Sequence, residues 1–135
     1  DWGHARDYVY MQWLMLQQKK PDDYIISFDK KYSIRDFILQ SGRFLGLNIA
    51  FKGKGMNEIG YIKNITKKSL NLDTKIKVGK TIIRVNKKYF RPNEVDVLLG
   101  NSSKARKNLK WIPKTSFKEL VEEMMISDFK KESGN

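Results

Sequence analysis

Apolar residues recur three and four positions apart near the start of the chain and predict a helix over residues 4–18. They occupy two neighbouring i,i+4 rows, so a broad part of the helix circumference is apolar. A helix of this kind is normally packed between other elements, and we expect burial on two sides. The apolar positions are Ala5, Val9, Tyr10, Trp13 and Leu14.

The next segments predict a strand followed by a second helix. Residues 24–28 read Tyr-Ile-Ile-Ser-Phe, a short apolar run typical of a well-buried strand. Ser33 and Asp36 have the spacing of a capping box, which predicts that a helix begins there. Its apolar face continues to Leu45, and Gly42 and Gly46 weaken its far end.

The middle of the chain predicts short strands separated by turns. Residues 49–51 are a plausible strand, and the glycine-spaced residues 53–60 predict a loop. Residues 61–86 are rich in Ile, Val and Thr, with the clearest strand at 81–85. Gly79-Lys80-Thr81 lacks the earlier glycine that a phosphate-binding loop requires, since position 74 is Thr, and predicts a turn into that strand.

The last third of the chain predicts mainly helix. Residues 95–99 are expected to form one helical turn, and Ser102 is expected to cap a short basic helix that ends at Leu109. Ser116 and Glu119 form a second capping box, followed by apolar residues at helical spacing. Because strands and helices alternate along the chain, the sequence predicts an α/β fold class.

Composition narrows the chemistry. The chain has 135 residues, no Cys and one His, which excludes disulfides, thiol nucleophiles and Cys-based or His-rich metal sites. His4 is expected to be a structural residue at a helix start. No G-x-G-x-x-G turn for a dinucleotide is present. No apolar stretch reaches the ~20 residues that span a bilayer and no secretory leader is visible, so a soluble, cytoplasmic protein is expected.

The charge allows a competing interpretation. Lys and Arg number 27 against 15 Asp and Glu, a net charge of +12. A basic nucleic-acid-binding module is therefore one alternative. The basic residues are mostly Lys in scattered pairs, however, which is more typical of a solvated surface than of base or phosphate recognition.

One motif combines an arginine with a carboxylate. Residues 89–94 read Tyr-Phe-Arg-Pro-Asn-Glu, which places Arg91 and Glu94 three positions apart after a strand. Pro92 restricts Arg91 to extended backbone, and two aromatic residues precede it. A guanidinium held in this way suits a diphosphate, and a nearby carboxylate suits sugar hydroxyls. The alternative is an ordinary surface ion pair between the same two side chains.

Several strings together resemble the C-terminal half of GDP-mannose 4,6-dehydratases, which are extended short-chain dehydrogenases/reductases. They follow in order along nearly the whole chain: Asp-Trp-Gly-His-Ala-Arg-Asp-Tyr-Val at 1–9, Met-Gln-Trp-Leu-Met-Leu-Gln-Gln at 11–18, Phe-Lys-Gly-Lys-Gly at 51–55, Tyr-Phe-Arg-Pro-x-Glu-Val at 89–95, Leu-Gly-x-Ser-x-Lys-Ala at 99–105 and Leu-x-Trp-x-Pro at 109–113. The opening string is the one that points to the GDP-mannose branch. Lys87 and Lys88 depart from the Pro-Arg that the family usually shows there.

The resemblance implies a Rossmann-like domain that binds NADP and a smaller domain that binds the nucleotide sugar. Residues 1–30 would rejoin the Rossmann-like domain, and residues 31–135 would form mainly the nucleotide-sugar domain. Arg91 would contact the diphosphate, and Glu94 would bind the nucleotide sugar.

The implied reaction converts GDP-mannose to GDP-4-keto-6-deoxymannose and water, toward GDP-fucose and other deoxysugars. The family's phosphate-binding turn, its catalytic Thr and Glu and its Tyr-x-x-x-Lys pair belong to the other half of the protein. No catalytic residue and no metal site is therefore expected in this chain, which is predicted to be inactive alone. The family usually forms homodimers or tetramers. Another nucleotide-sugar epimerase or reductase of the same superfamily is the nearest alternative.

Overall fold

Among the residues that the computed structural model describes, which are 1–66, 76–91, 95 and 97–132, two α-helices are followed by three strands and then by two further α-helices. This confirms the α/β class. Single 3-10 turns lie at Gly55–Asn57 and Lys87–Tyr89. The elements are α1 (Ala5–Leu16), α2 (Ile34–Phe44), β1 (Leu47–Lys52), β2 (Ile59–Ile65), β3 (Thr81–Arg84), α3 (Ser103–Leu109) and α4 (Phe117–Glu132).

The chain divides into two compact units. The first unit combines Asp1–Ser33 with Val95–Asn135, and the second unit is the intervening segment Ile34–Glu94. The two ends of the chain therefore belong to one unit, whereas the sequence-based proposal divided the chain at residue 30. The assignment of residues 1–30 to a Rossmann-like domain and of 31–135 to a nucleotide-sugar domain stays a prediction.

Helix α1 begins as predicted at a histidine cap. The Nδ1 atom of His4 accepts a hydrogen bond from the backbone N–H of Arg6, at 3.0 Å. Met11 is fully buried on one face, but Val9 and Trp13 are 61% and 53% exposed. Within the first unit only one face of α1 has neighbours, so burial on two sides stays a prediction.

The core of the first unit joins the two ends of the chain. Trp111 lies at its centre, fully buried, with its ring edge-on to Phe28 at a centroid distance of 5.9 Å. Residues from α1, α3 and the segment after Pro21 surround it. The members are Met11, Ala105, Leu109 and Trp111, with Leu14, Met15, Tyr24, Ile26 and Phe28 packed against them.

Residues 24–28 do not form the predicted strand. No strand lies beside them in the described ranges, and a strand requires a partner for its backbone hydrogen bonds. Side chains supply part of this bonding instead, since the Asp1 carboxylate accepts from the N–H of Phe28 at 3.0 Å. Only Ser27 is fully buried, and Ile25 is 57% exposed.

One further sequence prediction in the first unit is wrong, and another is confirmed only in part. Residues 95 and 97–99 are not helical and expose their apolar side chains. Ser102 precedes α3, but its side chain makes no capping hydrogen bond. Instead, Asn101 Oδ1 accepts from the N–H of Ser103 at 2.9 Å, and the Ser102 hydroxyl donates to Asp29. The Ser102 hydroxyl therefore bonds to Asp29, a residue distant in sequence, and does not cap the helix.

The second capping box is confirmed at the start of α4. The Ser116 hydroxyl accepts from the N–H of Glu119 at 3.2 Å, and the Glu119 carboxylate accepts from the N–H of Ser116 at 2.7 Å. This reciprocal pair satisfies N–H groups that a helix start leaves without partners. Among the described residues, no helix has both the length and the apolar content needed to cross a bilayer.

The second unit is a three-stranded antiparallel sheet in the order β1-β2-β3, with α2 packed against β1. Strand β2 begins at Ile59, inside the segment predicted to be a loop. Gly79 turns the chain into β3 with a φ of 85°, as predicted. At Gly42 of α2, a Cβ atom would lie 2.9 Å from the backbone carbonyl oxygen of Leu47 in β1, so a larger residue would require the backbone to shift.

Candidate functional site

The predicted ligand-binding motif follows directly after β3. The Asn86 side chain accepts from the N–H of Lys88 at 3.0 Å and caps the 3-10 turn Lys87–Tyr89. The N–H of Phe90 then donates to the carbonyl of Lys87 at 3.2 Å, and Phe90 itself is extended. This turn sets the backbone direction immediately before Arg91.

The motif lies on an exposed and strongly basic surface. Arg91 is exposed, and so are Lys87 and Lys88. Between residues 76 and 91 the sequence has six Lys or Arg and no Asp or Glu. Clustered charges of one sign attract an anionic ligand, so the local electrostatics favour a phosphate-bearing molecule.

The aromatic residues of the motif do not anchor it as the sequence suggested. Tyr89 is 73% exposed and Phe90 is 51% exposed. The Lys88 ammonium lies over the Tyr89 ring, 5.7 Å from its centroid. Exposed rings beside cations provide apolar surface for a ligand rather than a buried support for the loop.

Glu94, the second predicted site residue, lies outside the described residues, as does Pro92. The pairing of Arg91 with Glu94 around one ligand therefore stays a prediction. Arg91 is the member of the pair whose surroundings the structure describes.

The described residues do not fit NADP. A dinucleotide site requires a strand, a glycine-rich turn and a helix whose N-terminus faces the phosphates. In the part of the chain that the structure describes, β1 leads through a 3-10 turn into β2, and β3 leads into another 3-10 turn. Across the same residues, no group of three His, Asp or Glu side chains could hold a metal ion.

A separate polar cluster surrounds Asp29 in the first unit. Its carboxylate accepts from the backbone N–H of Ser102 at 3.2 Å and from the Ser102 hydroxyl at 3.0 Å. The Arg106 guanidinium lies 2.9 Å from the same carboxylate. Ser27, almost fully buried, donates to the carbonyl of Gly100 at 2.9 Å. The cluster holds the segment after residue 24 against the start of α3.

Asp29 also has a left-handed backbone, with a φ of 56°. Burial raises the pKa of its carboxyl, but the hydrogen bonds from Ser102 and the charge of Arg106 outweigh burial and leave the pKa below its ordinary value. The ionised form of Asp29 therefore stabilises the folded chain.

Acid should weaken this cluster. Because the folded pKa of Asp29 lies below the unfolded value of about 3.9, its contribution to stability is present above that pH and is lost as the pH falls through the folded pKa. We expect the free energy of unfolding, measured by urea denaturation between about pH 5 and pH 3, to fall less steeply in Asp29→Asn than in the parent chain.

Asparagine suits the test because it tolerates the left-handed conformation. Asp128→Asn, an exposed change on α4, is the matched control and should leave the pH dependence of the free energy of unfolding like that of the parent. A slope for Asp29→Asn equal to that of the parent would contradict the assignment.

A second carboxylate that organises the first unit is Asp7 of α1, which is only 3% exposed. It accepts from the backbone N–H groups of Lys114 and Thr115, at 3.2 and 3.0 Å. Its own carbonyl accepts from Trp111 Nε1 at 3.2 Å. One residue near the start of the chain thus fixes the loop that leads into α4.

A comparison with protein families identifies the chain. The family model described as GDP-mannose 4,6 dehydratase matches residues 1–124. The chain belongs to the GDP-mannose 4,6-dehydratase family.

Individual members of the GDP-mannose 4,6-dehydratase family agree with this match. A GDP-mannose 4,6-dehydratase of Yersinia enterocolitica is 46% identical over 128 residues, which are 95% of this chain and 34% of that protein. One from Vibrio cholerae is 47% identical over 131 residues, with 95% of this chain and 34% of that protein covered. The human GDP-mannose 4,6 dehydratase is 41% identical over 128 residues, 95% of this chain and 31% of its own length. The chain therefore spans about a third of the length of these curated relatives.

Sequence reasoning named Arg91 and Glu94 but missed Asp7 and Asp29 as hubs of the first unit. The available signal for Asp7 was an acid inside an apolar helical stretch, three residues after the histidine at the helix start. For Asp29 it was an acid with small polar neighbours at the end of an apolar run. Both residues lie in segments that the family model matches.

Proposed function

We propose that this chain is the nucleotide-sugar-binding part of a GDP-mannose 4,6-dehydratase. The whole protein would convert GDP-mannose to GDP-4-keto-6-deoxymannose and water, with NADP held by the polypeptide outside this chain. The observation that supports this most strongly is the family match across residues 1–124. The exposed basic segment that leads to Arg91 supplies a site of suitable charge.

In this proposal the residues of the chain bind and orient the substrate. The Arg91 guanidinium pairs with the diphosphate through charge-assisted hydrogen bonds, and the Glu94 carboxylate accepts from hydroxyls of the nucleotide sugar. NADP supplies hydride acceptance and return when it is bound elsewhere in the whole protein. No residue of this chain is assigned to proton or hydride transfer, so the chain alone should not turn over substrate. We place the whole protein in the cytoplasm as a homo-oligomer.

Replacing Arg91 by alanine tests the site. We expect Arg91→Ala to weaken binding of GDP to the chain by at least about tenfold, because a charge-assisted hydrogen bond contributes roughly 1.5–3 kcal/mol. Isothermal titration calorimetry with GDP gives the dissociation constant. Arg43→Ala, an exposed arginine in the last turn of α2, is the matched control and should bind GDP like the parent.

Equal GDP affinity in Arg91→Ala and the parent would remove Arg91 from the proposed site.

The charge of the basic segment would also attract a polyanion such as RNA, and the same variants test this alternative. RNA binding that falls steeply with salt and is unaffected by GDP would support the nucleic-acid alternative instead.

A further inference from the structure

A cavity of about 310 Å³ lies within the first unit, beside the loop that leads into α4. Aromatic rings form much of its wall. The rings of Tyr32 and Phe117 are parallel, with centroids 3.9 Å apart, and Trp2 meets Phe117 edge-on at 6.0 Å. The cavity thus offers apolar, aromatic surface to a ligand.

The charged residues that line the cavity are all basic. Lys30, Arg106 and Lys114 line it, and none of its lining residues among those described is Asp or Glu. Arg106 is paired with Asp29, whereas Lys30 has no ion pair among the described residues. A desolvated carboxylate or phosphate is stabilised by such surroundings, while a cation is repelled.

Hydrogen bonds hold the walls of the cavity in place. Trp2 Nε1 donates to the carbonyl of Tyr32 at 3.0 Å. The Asp7 carboxylate accepts from the N–H groups of two other lining residues, Lys114 and Thr115. A ligand would therefore enter a preformed space, which reduces the ordering cost of binding.

We propose that this cavity binds a small anion that carries one aromatic ring, such as an aryl phosphate. The ring packs against Trp2 and Phe117, and the anionic group faces Lys30. A cavity of about 150 Å³ holds benzene, so the larger space here accommodates a ring together with its anionic substituent. The site shares no residue with the Arg91 and Glu94 motif and goes beyond the proposed function.

Titration of the full chain with phenyl phosphate tests the site, with the indole N–H signals followed by NMR. The Trp2 signal, assigned by its loss in Trp2→Phe, should shift in a saturable manner, and the signal of exposed Trp13 should not. Inorganic phosphate and benzyl alcohol each supply one half of the ligand. Each should bind at least about tenfold more weakly than phenyl phosphate, since each lacks one set of contacts.

Variants locate the anionic group. Lys30→Gln should weaken phenyl phosphate binding by about three- to fivefold, the effect of one exposed ion pair. Lys31→Gln is the matched control, because Lys31 is also exposed but does not line the cavity. Arg91→Ala should leave phenyl phosphate binding unchanged, which keeps this result separate from the test of the nucleotide site.

Three results would overturn the proposal. The first is an unshifted Trp2 signal at millimolar phenyl phosphate. The second is inorganic phosphate binding as tightly as phenyl phosphate, which would show attraction by charge alone. The third is an equal loss of affinity in Lys30→Gln and Lys31→Gln.

Discussion

Replacing Trp111 by alanine should lower the free energy of unfolding by about 3–5 kcal/mol, the range for large aromatic residues removed from a core. Trp111 is fully buried and packs edge-on against Phe28. Its indole N–H also donates to the carbonyl of Asp7, which would lose this partner. Since whole domains are stable by only about 5–15 kcal/mol, the first unit of this variant should lose a large part of its stability.

Urea denaturation followed by far-UV circular dichroism measures this loss without relying on tryptophan emission. Trp13→Ala removes the same side chain from the exposed face of α1, where Trp13 is 53% exposed. This control should change the free energy of unfolding by less than about 1 kcal/mol. Similar losses in the two variants would show that Trp111 is not the centre of the core.

The free energy of unfolding of Asp7→Ala should fall by about 3–6 kcal/mol, because two hydrogen bonds to the carboxylate are lost and bonds of this kind contribute roughly 1.5–3 kcal/mol each. The change removes the carboxylate that accepts hydrogen bonds from the backbone N–H groups of Lys114 and Thr115. We therefore expect the loop before α4 to become mobile as well as the whole unit to become less stable.

Two measurements separate these effects. Urea denaturation gives the loss of stability, and hydrogen exchange at Lys114 and Thr115 reports the loop directly. Asp7→Asn keeps one side-chain carbonyl acceptor, so its free energy of unfolding should lie between those of Asp7→Ala and the parent. Asp128→Ala, on the exposed side of α4, should match the parent. Slow exchange at Lys114 in Asp7→Ala would contradict the role given to this carboxylate.

Local signals in the sequence predicted local structure well. Ser116 and Glu119 are three residues apart and form the expected capping box, and His4 starts α1 as expected. The turn at Gly79 needs only a positive φ, which glycine supplies at low cost. In each case the interacting groups are neighbours in sequence, so a short stretch of sequence is enough to predict the local structure.

The failures share a dependence on distant partners. Residues 24–28 have the composition of a strand, but pairing needs a second strand that the string does not encode. Ser102 looks like a cap, yet its hydroxyl bonds to Asp29, which is 73 residues away.

The candidate site was proposed from one short string that contains Arg91 and Glu94, and the roles of both residues stay a prediction. The structure describes the turn that precedes Arg91. Asp7 could not be predicted as a hub, because the N–H groups that it holds lie 107 and 108 residues further along the chain. Only the folded arrangement brings those groups to the carboxylate.

The division of the first unit between the two ends of the chain has a consequence for synthesis. Met11 leaves the ribosome 100 residues before Trp111, its partner in the core. At roughly 5–20 residues per second, α1 waits about 5–20 seconds with its apolar face uncovered. The strands and helix of the second unit are close in sequence, and all residues of this unit are synthesised before Trp111. Folding during translation should therefore begin in the middle of the chain, with the first helix open to chaperones until the last third is made.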